Sequence, residues 1–398
     1  PAGRKSWLLD LEQQDEQARI LIGHVSLDRG SLGYEDPQSK TSVRSSIASA
    51  ENPAASADGV TFNAVGQFKG LSLKASGTGG PVMALRDDSR PYPLKLDATL
   101  GQTRVRADGT VTSLVTLSAL DLQLSLSGSS LEQLFPLLNI ATPASNAYAV
   151  EGHLVHSADT WRYDNLSGRI GKSDIAGSVQ IVTGGKRPVL VADLVSRVLD
   201  ISDLGPMIGA KPAAVRPADG RVLPEIPFKT DRWDSVDADV KLTARALRHP
   251  ASVPLEDLVT HMKLKDSVLT LDPLAFGYAG GRLDAVVSLD GRSRPINARA
   301  QVRARKIQIA KLMPGFKLSK SGIGQINGEF DLAGKGDSVR QMLATSNGKL
   351  GLVIANGEIS KLMMETAGLH LWEILELKLG GDRPVKVRCG VADFDVTK

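Results

Sequence analysis

The sequence holds a single cysteine, Cys389, in 398 residues, so an intrachain disulfide is excluded and packing and hydrogen bonds must hold the fold. Aromatic residues make up only 4% of the chain, which removes the stacking platforms that single-stranded nucleic acids and sugars favour. Neither sign of charge dominates, since 48 Lys and Arg are interleaved with 44 Asp and Glu. A nucleic-acid partner requires cations gathered on one face, and this distribution argues against one. No apolar run reaches the roughly eighteen residues of a membrane-crossing helix. The start, PAGRKSWLLDLEQQDEQ, has neither an initiator Met nor the apolar centre of a signal peptide, and reads as an excerpt of a longer protein.

Recognisable chemistry is also missing. None of the six histidines stands at zinc-ligand spacing. His153 and His156, the nearest pair, are three apart and would point to opposite faces of a strand. Asp237 and Asp239 share a face but flank apolar Ala238 and Val240, the pattern of a wet strand surface rather than an acid–base pair. Gly322, Gly324 and Gly328 occur without a phosphate-loop lysine, and no nucleophile elbow or partner set for Cys389 is present. No enzyme activity, cofactor or metal is therefore expected. Arg299, Arg303, Arg305 and Lys306 form the densest cationic run. Their alternation with apolar residues favours a solvated face, with lipid headgroups or an anionic partner as the alternative.

What the chain does have is glycine, 39 residues, proline, 20 residues, and a persistent alternation of apolar and polar side chains. In ALDLQLSL, Leu120, Leu122, Leu124 and Leu126 face one way and Asp121, Gln123 and Ser125 the other, as on a half-buried strand. The same period places Leu94, Leu96 and Leu100 on one face, then Leu190 and Leu194, then Leu283, Val287 and Leu289. It continues through Ile296, Ala298, Ala300 and Val302, through Ile326, Phe330 and Leu332, and through Leu350, Leu352 and Ile354. Turn signals such as ADG, TGG, LDGR and ANGE recur every eight to twelve residues or so. The expected fold is mainly β, a long, curved antiparallel sheet of about twenty strands with a few short helices.

A strand followed by a Leu-Pro helical turn recurs around Pro136, Pro206 and Pro314, and the strands after Arg187-Pro188 and Arg294-Pro295 run in parallel register. Residues 1–209 form a first β segment, 210–230 a Pro/Ala-rich loop, and 231–398 a second β segment. An amphipathic helix is expected near 360–379. A sheet with one aliphatic face must close into a barrel, pack on a second sheet, or curl into a groove covered by an apolar ligand. The lining is Leu, Val, Ile and Ala, so an acyl chain is the ligand it suits. About fifteen methylenes at about 0.8 kcal/mol each give a gain on the order of 10 kcal/mol, similar to what extraction from a bilayer loses. Such a balance fits a conduit better than a store. The alternative is an assembly factor that holds an unfolded polypeptide in the trough or along a strand edge.

ILIGHVSLDRGSLGYEDP resembles the AsmA family of bacterial envelope proteins, as does VLPEIPFKTDRWDSVDADVKLTARALRHPASVPLEDLVTHMKLKDSVLTLDPLAFGYAGGRLDAVVSLDGR. GLHLWEILELKLGGDRPVKVRCGVADFDV is similar to that family's carboxyl-terminal region. The resemblance implies a long periplasmic β-groove, like that of bridge-like lipid transfer proteins, held at the inner membrane by an amino-terminal helix outside this chain. It also implies phospholipid movement toward the outer membrane, a part in outer-membrane assembly, and partners among the assembly components there; under the alternative, it makes the polypeptide held an outer-membrane protein.

Overall fold

The computed structural model describes residues 26–49, 59–86, 89–113, 118–134, 142, 144–204, 227–228, 230, 233–248, 255–308, 311, 324–360 and 384–397. In chain order the first strands are β1 (Gly30–Asp36), β2 (Thr41–Ser49), β3 (Val60–Phe68), β4 (Leu71–Gly79), β5 (Pro91–Leu100), β6 (Thr103–Thr112), β7 (Ala119–Gly128), β8 (Tyr148–Ser157), β9 (Thr160–Ile170), β10 (Ser173–Val182) and β11 (Val189–Asp200). They continue as β12 (Asp237–Arg248), β13 (Leu255–Lys265), β14 (Val268–Tyr278), β15 (Gly281–Asp290), β16 (Asn297–Gln308), β17 (Gln325–Lys335), β18 (Asn347–Ser360) and β19 (Pro384–Val396).

All nineteen belong to one sheet. Each strand pairs with the next in sequence, antiparallel at every step but one. The exception is β11 with β12, which run parallel with Val189 opposite Asp237. At about 4.8 Å per strand the sheet extends roughly 85 Å. Among the described residues β1 and β19 pair with no further strand, so the sheet is open rather than a barrel.

Alternation makes the strands, and tight turns hold their register. Lys69 and Gly70, Asp266 and Ser267, and Ala279 and Gly280 each have positive φ at both positions, the two-residue hairpin turn whose twist matches its strands. Because side chains alternate with period two, these fixed registers keep the apolar set on one face. The described residues add only the 3-10 turns Val82–Arg86 and Leu131–Leu134, the helical turn Ile201–Leu204 and the short helix Val339–Ala344. Two of these follow β7 and β11, the positions where Leu-Pro turns were expected; the third expected turn, the Pro/Ala-rich loop 210–230 and the helix near 360–379 lie largely or wholly outside the described residues. No second sheet covers the apolar face among the described residues.

Curvature comes from strand glycines on that face. Gly109 of β6 has φ +154°, and a Cβ there would stand 2.1 Å from the Asp121 carbonyl oxygen; Gly168 of β9 repeats this at φ +158°, 2.2 Å from the Ala149 carbonyl oxygen. Only glycine lets neighbouring backbones approach so closely at a kink. Replacing Gly109 by Ala should cost about 2–3 kcal/mol, the strain of an unsuitable φ plus the displaced carbonyl. A urea unfolding midpoint equal to that of the parent would show the kink to be dispensable.

Candidate lipid groove

Register turns the separate alternating segments into continuous rows. Leu154 of β8 lies opposite Tyr163, which lies opposite Val179, and the row continues through Ala192, Val240 and Met262. It then passes Leu271, Val287, Ala300 and Leu332 to Gly348 and Val396 on β18 and β19. Twelve strands thus contribute one residue each, eleven uncharged side chains and Gly348. A second row runs Leu194, Leu242, Thr260, Leu274, Ala285, Val302, Phe330, Leu350 and Phe394. On the amino-terminal side Ile47, Phe62, Gly77, Leu96, Ala107 and Leu124 stand in line.

The aliphatic residues singled out from sequence all lie on this face or at its edge, but not at equal depth. Leu120 and Leu122 are buried in a cluster with Ala107 and Val111, and Leu94, Leu96 and Leu124 pack on it while remaining partly exposed. Leu100, Leu126, Leu190, Leu194, Leu283, Val287, Ala298, Ala300, Val302, Ile326, Phe330, Leu332, Leu350, Leu352 and Ile354 are likewise only partly buried. Leu289 is buried. Ile296, ahead of β16, is 1% exposed and belongs to a cluster with Leu289 and Met342, against which Phe228 and Trp233 pack. It forms part of a wall at one edge of the groove, not of its accessible lining.

Several aromatic rings on this floor sit against glycines of adjacent strands. A Cβ on Gly152 would meet the Tyr163 ring at 2.9 Å, and one on Gly79 would meet Tyr92 at 2.6 Å. Tyr163 Oη donates to the Leu124 carbonyl at 2.8 Å and Tyr92 Oη to the Gly80 carbonyl at 2.6 Å. Burial pushes the Tyr92 phenol up to about 12 and raises Tyr163 and Tyr148 as well, with the charge of Glu151 a smaller cause at Tyr163. The rings stay neutral, and the hydroxyls of Tyr92 and Tyr163 are spent on backbone carbonyls.

The opposite face is wet and ion-paired. Arg104 holds Asp97 through bonds of 3.1 and 2.8 Å, and Arg299 holds Asp331 through bonds of 3.1 and 2.8 Å. The Arg299 guanidinium, helped by Gln301, draws the Asp331 carboxyl down to about 2. Asp239 receives His261 at 2.6 Å and Asp121 receives His153 at 2.6 Å. His156 turns to the apolar side and stacks on Trp161 with centroids 3.8 Å apart. A shallow hollow lined by Ser76, Thr78, Lys95, Asp97, Arg106 and Asp108 lies on this wet face, behind the groove. Among the described residues no three His, Cys, Asp or Glu converge to hold a metal, and no helix is long and apolar enough to cross a membrane.

Sequence reading missed the floor residues Met262, Leu271 and Leu274. Register shifts between Glu256 and Val259 on β13 and between Leu271 and Leu274 on β14 break the parity of the alternation within those strands. The Asp272-Pro273 dipeptide inside an otherwise apolar strand was the available signal.

The AsmA family model matches residues 36–398. The chain is 37% identical over 356 residues to the AsmA family protein YhjG of Escherichia coli (strain K12), covering 84% of this chain and 52% of that protein. It thus spans about half the length of that curated relative. No solved structure matches it. With nearly all of its residues inside the family model and a relative of this similarity, the chain belongs to the AsmA family.

Proposed function

We propose that this chain is a segment of a non-enzymatic conduit that carries the acyl chains of phospholipids along its apolar face. Family membership ties the chain to the cell envelope. The reading sets the groove on the periplasmic side of the inner membrane, anchored by a part of the protein outside this chain, and serving the outer membrane. Its main support is the Leu154-to-Val396 row, twelve strands of uncharged residues in register with no second sheet over them among the described residues. Water against such a face is costly, and an aliphatic chain relieves that cost without demanding directional contacts. Weak specificity and near-balanced energies suit movement.

Val286 and Val287 of β15 are adjacent and face opposite ways, with Val287 in the row and Val286 37% exposed on the wet side. A photo-crosslinking amino acid placed at each in the full-length protein should yield phospholipid adducts at Val287 and none at Val286. Equal labelling at both, or none at Val287, would overturn the reading. Polypeptide adducts at Val287 would support a holder of unfolded outer-membrane proteins instead.

A further inference from the structure

The two long edges of the groove, where the strands end, differ in chemistry. At the edge holding the β15–β16 and β17–β18 connections, Phe228, Trp233, Leu269, Val287 and Ala298 pack on the buried cluster of Leu289, Ile296 and Met342. This wall is tied down where Phe228 N–H donates to the Asp337 carbonyl at 2.8 Å and Arg294 Nη2 donates to Thr230 Oγ1 at 3.1 Å.

At the opposite edge the register of β16 with β17 slips between Ala304 and Ile307. Arg305 and Lys306 together stand opposite the single residue Asn327, both are exposed, and Lys306 takes φ +55° while its N–H donates to Asn327 Oδ1 at 2.9 Å. A bulge at a sheet rim re-aims side chains, and here it presents two consecutive cations. Arg282 faces Arg305 directly across the strands, a like-charge pair that sheets normally avoid. Arg282 and Arg303 are engaged by Asp284 and Glu329, whereas Arg305, Lys306 and the exposed Lys311 have no carboxylate at ion-pair distance among the described residues. No Asp or Glu occurs between Asp290 and Glu329, a stretch with nine Lys or Arg. Directly beneath lies an apolar cluster of Ala304 and Ile307 with Leu283, Ile326 and Phe330 packed on it.

We infer that Arg305, Lys306 and Lys311 form a headgroup station, taking the phosphate of a glycerophospholipid whose acyl chain lies on Leu283, Ile326 and Phe330. A phosphate tethered to an aliphatic chain is the ligand that answers both halves of this edge at once, and the walled edge opposite leaves headgroups this side. Cations at a water-exposed rim attract a phosphate by charge and need no enclosed pocket. The inference rests on the groove carrying acyl chains.

The test uses full-length protein and three vesicle-borne probes with identical acyl chains and an acyl-attached fluorophore: phosphatidylglycerol, phosphatidylethanolamine and diacylglycerol. The parent should take both phospholipids at least tenfold better than diacylglycerol. The variant Arg305→Glu/Lys306→Glu/Lys311→Glu should lose that preference while its diacylglycerol uptake stays within twofold, and the matching Gln variant should fall between. Unchanged phospholipid preference in the Glu variant would overturn the station and leave the groove standing. Uptake of none of the three probes by the parent would overturn the groove itself, and the station with it.

Discussion

Placing a glutamate at Leu124 or at Val302 should stop lipid passage while leaving the protein folded. Leu124 lies between Ala107 and Gly152 across the strands, and Val302 between Ala285 and Phe330. Among the described residues, the cross-strand neighbours of both positions on that face are uncharged. Both side chains are partly exposed, so folding loses only part of one aliphatic side chain's burial, about 1–2 kcal/mol. A passing chain meets a different cost, because desolvating an unpaired carboxylate against methylenes takes several kcal/mol. A conduit is serial, so a single barrier of about 4 kcal/mol slows it roughly a thousand-fold. Phospholipid co-purification and outer-membrane permeability in cells carrying Leu124→Glu or Val302→Glu measure this, with Gln123→Glu on the wet face as the neutral comparison. Normal lipid content and permeability in a folded Leu124→Glu protein would sink the conduit.

The second large effect is expected at Asp203, which fastens the one connection that is not a hairpin. Asp203 is 3% exposed on the helical turn after β11. Its carboxylate accepts from Asn146 Nδ2 at 2.6 Å, from Lys172 N–H at 2.8 Å, from Ser173 N–H at 2.9 Å and from Ser173 Oγ at 2.7 Å. Ser173 Oγ in turn accepts the Asp200 N–H at 2.9 Å. This network joins the β9–β10 turn, the approach to β8 and the end of β11. Asp203→Ala leaves several donors buried without an acceptor, each costing about 1–3 kcal/mol before water relieves some of them. A net loss of about 3–5 kcal/mol is expected, with Asp203→Asn intermediate because one acceptor oxygen remains. A sheet this long need not unfold in one step, so the sensitive measurement is amide hydrogen exchange at Lys172 and Ser173. Unaltered protection there in Asp203→Ala would show the latch to be unimportant.

Much of the site was legible in the chain because strand alternation is a local property. Leu120 to Leu126 form an unbroken period-two run, and nothing in β7 disturbs it. Where β13 and β14 carry register shifts, parity flips within the strand, and Met262 and Leu271 escaped notice although they stand in the same row as Val287. Ile296 fitted the alternation of β16 but precedes that strand, and Met342, forty-six residues on in sequence, closes over the same cluster. The Arg305–Lys306 pair was visible as a charge run, yet its position at a rim depends on a bulge opposite Asn327 that no residue of β16 announces.

A β-rich chain with one aliphatic and one wet face can be read from the residues alone, since side-chain period and turn chemistry act over a few residues. The choice among sandwich, barrel and groove, and the place of the parallel junction at β11 and β12, arise only in the assembled sheet. Closure depends on twist and curvature accumulated over nineteen strands, each step small and set by kinks such as Gly109 and Gly168. A sum of that kind is fixed by the whole sheet and is written in no one segment of it.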